Sequence, residues 1–137
     1  MDDDRINLAN ETGYRLFRTA FSVDALPGEP ESAADFRRLC NEHAFADSWT
    51  RTALDDRTRS LLTVAILATL GSNKLRGHLG GALSLGVTPD EIVDLFVHLA
   101  TYAGVARASD GFEIASELMI KKAARDAERA ARDSEPG

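Results

Sequence analysis

Cysteine is nearly missing from this 137-residue chain: Cys40 is its only one. A single thiol excludes an internal disulfide, a Cys-x-x-Cys redox pair and a thiolate zinc site. On a helix it reads as a small buried hydrophobe, and the scarcity fits a reducing cytoplasm. Long apolar runs are missing too: none approaches the ~20 residues that span a bilayer. The opening Met1-Asp2-Asp3-Asp4-Arg5 is acidic where a secretion signal would be basic. No membrane partner is expected, and the cytoplasm is the expected location. Positive charge is in deficit, with 16 Lys and Arg against 22 Asp and Glu and a formal net charge of −6. A nucleic-acid partner needs a basic face and is not expected. An anionic ligand would have to be attracted locally by arginines, against the field of the whole molecule.

Strand-type alternation is absent as well, whereas helical periodicity and caps recur. A first helix is expected at about Asp4–Ser22, closed by Leu26-Pro27-Gly28-Glu29-Pro30. A second runs from Ser32, as N-cap, to Asp47, with Phe36, Leu39, Cys40 and Phe45 as its inner face. Asp55 suits the cap of a third helix ending at Gly71, apolar on every side and therefore expected to be central and buried. A fourth covers Asn73–Leu85 and stops at Gly86. The clearest start is Thr88-Pro89-Asp90-Glu91, a capping box with proline at the first helical position, opening a fifth helix that runs to Ala103. A sixth spans Arg107–Ile120, with Phe112, Ala115, Leu118 and Met119 inward. The Ala-rich, charged stretch 121–137 extends it or frays by Pro136. The fold class is all-α, about six helices, with residues 1–120 as a single domain and 121–137 as a tail.

Several side chains sit where packing explains them poorly. His78 lies among Leu75, Leu79, Ala82 and Leu85 at helical spacings, so its imidazole faces apolar surroundings. Burial favours the neutral ring, which can exchange a proton near neutrality; a core histidine bonded to a backbone carbonyl is the other reading. His98 stands at the edge of the stripe Ile92, Leu95, Phe96, Leu99, Tyr102, one turn after Asp94. Glu91 is spent on the cap, while Asp94 and His43 read as surface. No His-x-x-x-His or Glu-x-x-His pair occurs, so no metal is expected. Arg51, Arg57 and Arg59 form the one basic cluster beside an apolar helix. Arg59 shares a face with Thr63, Ile66 and Leu70, and its guanidinium needs a carboxylate from a ligand or from Asp47, Asp55 or Asp56. Trp49, the single tryptophan, can wall a pocket or anchor a core.

In order along the chain, Gly13–Arg18, Phe45–Arg51, Leu54–Leu62, Leu75–His78, Gly86–Ile92 and His98–Val105 resemble the carboxymuconolactone decarboxylase family. The resemblance implies an alkylhydroperoxidase-D-like helical bundle that assembles into a homo-oligomer, a trimer or hexamer, with sites partly between subunits. It implies cofactor-free removal of carbon dioxide from 4-carboxymuconolactone or a related lactone or β-keto acid. It aligns the family's acid with Asp47, its tryptophan with Trp49, its arginine pair with Arg57 and Arg59, and its histidine with His78. The peroxide-reducing branch carries cysteines where this chain has Gly71 and Lys74, so dithiol chemistry is not expected. The chain departs from the decarboxylase pattern at Phe45-Ala46, at Asp47 in place of glutamate, and at Ala106 in place of proline.

On this reading Arg59 and Arg51 hold a carboxylate or the developing enolate, and His78 transfers the proton. Asp47 or His98 sets its tautomer, while Trp49 and Tyr102 exclude water. The same parts would serve isomerisation, dehydration or cyclisation of a related carbonyl compound. A helical oligomer without catalysis is the third reading.

Overall fold

The computed structural model describes residues 3–19 and 21–137, whose regular elements are all helices with no strand among them. Met1, Asp2 and residue 20, part of the expected acidic start and first helix, lie outside the described residues. The chain divides into two compact units, Met1–Arg59 and Ser60–Gly137.

In the first unit α1 covers Asp3–Phe17 and α2 covers Ala33–Asn41. The first helix is shorter than the expected Asp4–Ser22. Arg18 turns into the left-handed region (φ 57°) while its N–H donates to the Tyr14 carbonyl at 2.8 Å, closing the last turn. The expected single helix from Ser32 to Asp47 is also corrected: α2 gives way at Glu42 to a π-helical segment, Glu42–Ser48. Ser32 makes no side-chain capping bond, because its backbone is already helical. The wider turn, seen in the Trp49 N–H donating to the carbonyl of Ala44, five residues back, buries Phe45 and Ala46. Phe45 stacks on Phe21 and meets Phe17 edge-on, with centroids 5.6 and 5.8 Å apart. Of the inner face expected for the second helix, Phe45 holds and the rest fails: Phe36 is 69% and Leu39 65% exposed, and Cys40 is exposed rather than core.

α3, Asp56–Leu70, begins in the first unit and continues into the second. Asp55 caps it as expected, its carboxylate accepting from Thr58 N–H at 2.7 Å. Gly71 ends it at φ +65°, where a Cβ would strike the Arg107 guanidinium. The expectation of an all-round buried α3 is wrong. Ser60, Val64 and Ala68, four apart, are buried, whereas Leu62, Ile66 (57%) and Leu70 (69%) lie open on another face.

The second unit adds α4 (Leu75–Ser84), α5 (Pro89–Ala103) and α6 (Val105–Asp133), with α6 packing on α5 and α4. The Thr88–Glu91 capping box forms as read. Val64, Leu75, Leu79, Ile92, Phe96, Leu99 and Ala115 make the core. The last helix starts earlier and runs further than Arg107–Ile120. Its exposed end is tied by i,i+4 ion pairs, Lys121 to Glu117 and Lys122 to Asp126.

Candidate active site

The connector after the π-helical segment carries Trp49 and Arg51, and α1 runs alongside it within the first unit. Between them lies a cavity of about 660 Å³. Leu8, Glu11, Thr12 and Arg15 line it from α1, and the stretch from Trp49 to Asp56, Ala53 apart, lines it from the connector. The helix residues recur at i, i+3, i+4 and i+7, one face of α1. Trp49 is 6% exposed, so it forms the floor rather than a flap. Arg15 grips Asp56 through two bonds, Nε to Oδ2 at 2.9 Å and Nη2 to Oδ1 at 3.1 Å.

The other first-unit candidates are placed nearby in the chain but engaged differently. Arg59 donates from Nη2 to the carbonyl of Arg51 at 3.1 Å, so one guanidinium orders the loop that carries the other. The Asp47 carboxylate accepts from Arg5 Nη2 at 2.8 Å, with His43 Nδ1 at 3.9 Å. The Arg5 bond chiefly holds Asp47 below the usual carboxylate range, so it remains ionised at neutral pH.

In the second unit His98 and Tyr102 lie one turn apart on α5, ring centroids 5.0 Å apart. Both border an apolar hollow of about 470 Å³ lined also by Ala65, Ile66, Thr69, Leu70, Leu95, Leu99 and Ala103. Tyr102 is 81% exposed, a mouth residue rather than a wall. His78, on α4, is half-buried and lines neither of these two cavities. Burial pushes its imidazole below the ordinary value near 6.5, which favours the neutral ring. The structure thus joins Trp49 with Arg51, Arg51 with Arg59, and His98 with Tyr102. Among the described residues no group of three or more His, Cys, Asp or Glu side chains is arranged to hold a metal ion.

Sequence reasoning missed Glu11, Thr12 and Arg15. Their i, i+1, i+4 placement marks a helix face, but nothing local tells that face to meet a loop some forty residues later.

The sequence model of the carboxymuconolactone decarboxylase family matches residues 34–117. A 4-carboxymuconolactone decarboxylase of Acinetobacter baylyi is 36% identical over 85 residues, covering 61% of this chain and 63% of that relative, under two thirds of its length. A nitrosuccinic acid decarboxylase of Metarhizium robertsii is 37% identical over 101 residues, covering 69% of each chain.

Proposed function

This chain belongs to the carboxymuconolactone decarboxylase family, and from that membership we propose that it is a cofactor-free carbon–carbon lyase that removes carbon dioxide from a small carboxylated substrate. The observation that carries this reading is that two relatives with different named substrates are both named decarboxylases. The two names share a chemistry. Each substrate loses a carboxylate from a carbon whose electron pair can pass into an electron-withdrawing group, a conjugated lactone carbonyl in one and a nitro group in the other. Each also retains a second carboxylate. The substrate class for this chain is therefore a dicarboxylate with a built-in electron sink, a carboxylated lactone or β-keto acid included.

The step balances without a bound cofactor. The bond to the leaving carboxylate breaks, carbon dioxide departs, and the electron pair enters the sink as an enolate or nitronate. Arg59 and Arg51 stabilise that charge, and their linkage through the Arg51 carbonyl supports a fixed geometry for both. The imidazolium of His78, the minority form near neutral pH, delivers a proton to carbon and is reloaded from solvent. Its lowered proton affinity makes it a stronger acid, and general acid help of this kind is worth about 10²–10⁴-fold. Asp47 and His98 are assigned to orienting the proton-transfer machinery, and Trp49 and Tyr102 to limiting water. The protein works in the cytoplasm as a homo-oligomer, a trimer or hexamer.

The dependence of turnover on pH tests the direction of proton flow. Decarboxylation through the His78 imidazolium gives a rate that is flat in acid and falls as pH rises through a value below 6.5. A rate that instead rises with pH through that value overturns the role of His78 as the acid, and a product that retains all of the substrate's carbon overturns the lyase assignment.

A further inference from the structure

Arg5 begins the stripe of α1 that continues through Leu8, Thr12 and Arg15 along the larger cavity. Its guanidinium is not part of that lining. It reaches instead to two carboxylates of the π-helical segment, Nη2 to Asp47 Oδ2 at 2.8 Å and Nε to Glu42 Oε2 at 3.5 Å. Glu42 and Asp47 stand five residues apart. In an α-helix that spacing turns two side chains about 140° from each other, onto faces that one guanidinium does not span. A π turn, which closes from i to i+5, brings them onto one face. Arg38 holds the other Glu42 oxygen at 2.8 Å, and His43 Nδ1 lies 3.9 Å from the same Asp47 oxygen. The inner side of the segment is held by Phe45 against Phe17 and Phe21. Trp49 follows directly, its N–H bonded in the same five-residue register to Ala44, and it forms the cavity floor.

We infer that Arg5 is a positioning residue for this cavity: it clamps one π turn, and that turn sets Trp49 into the floor. Its bearing on the reaction rests on the reading of Trp49 as a side chain that limits water at the site; the clamp itself does not. An α turn in the same place would bond the Trp49 N–H to Phe45, four residues back, and rotate the indole together with the connector that carries Arg51. Arg5 and Asp47 are both nearly half exposed, and ion pairs of that kind add little to overall stability. Loss of the clamp is therefore expected to change the register of one turn and leave the fold in place.

Trp49 is the single tryptophan, so its fluorescence reads the floor alone. In the full chain, Arg5→Gln should shift that emission to longer wavelength and raise its quenching by acrylamide, while the melting temperature holds within a few degrees. Arg37→Gln breaks a two-pronged ion pair elsewhere in the same unit, to Glu29, and should move neither reading. Asp47→Asn removes one arm of the clamp and should expose Trp49 as well, and adding Arg5→Gln to it should give less than the sum of the two single shifts. Unchanged emission and quenching in Arg5→Gln, or an equal change in Arg37→Gln, overturns the inference; should Arg5→Gln fail to fold, Asp47→Asn decides by the same two readings. Activity separates the clamp from the lyase reading. If Trp49 responds as expected while the wild type leaves 4-carboxymuconolactone and nitrosuccinate intact, the clamp stands and the lyase assignment falls. If either is decarboxylated, Arg5→Gln should lower kcat/KM by up to about 10²-fold; an exposed Trp49 with undiminished kcat/KM leaves the lyase assignment standing and overturns the positioning role.

Discussion

A histidine that transfers protons and is also partly buried ties stability to the same group as catalysis. For His78 the folded proton affinity lies below the ordinary value near 6.5, so the unfolded chain binds the proton more readily. The stability contributed by the neutral ring is therefore fully present above that value and lost as pH falls from there toward the folded pKa. His78→Asn should flatten this part of the stability profile, measured as the denaturant midpoint between pH 5 and 7.5 at constant slope. The burial of His78 was legible because its apolar neighbours share its own helix. Asp47 was not legible in the same way: its partner Arg5 lies 42 residues away, and a pairing across that distance leaves no local mark. Thr12 and Arg15 escaped notice for the same reason.

At the scale of elements, stops and caps were read well because their chemistry is local. Asp55, Gly71 and the Thr88–Glu91 box each satisfy or end a helix with residues a few positions apart. Thr88→Ala should cost about 1 kcal/mol by thermal or denaturant unfolding. The π-helical segment at Glu42–Ser48 was not legible, since an i→i+5 turn has no compositional signature, and that miss sent Phe36 and Leu39 to the wrong side. Close packing of α6 was equally hidden. At Gly111 a Cβ would meet Phe96 at 2.8 Å, with Ala68 and Leu75 at 3.3 Å. Gly111→Ala is expected to destabilise the protein by about 1–3 kcal/mol through overpacking, despite the better helix propensity of alanine.

For the whole molecule, the open apolar strip Leu62, Ile66 and Leu70 on α3 is the feature an assembly would cover. Light scattering should give three or six times the 14.8 kDa chain mass, and Ile66→Asp should return the mass to one chain. The all-α class and family were legible because signals spread along the chain agreed in order. The substrate was not, because it depends on a few side chains that line cavities. The central claim is that this chain is a decarboxylase working through His78. It is tested most directly by incubating 4-carboxymuconolactone and nitrosuccinate with the wild type and His78→Asn, following substrate and product by mass spectrometry. The account requires that the wild type strip carbon dioxide from at least one of them, and that His78→Asn do so about 10²-fold or more slowly. Intact substrates with the wild type, or an undiminished rate in His78→Asn, would contradict it.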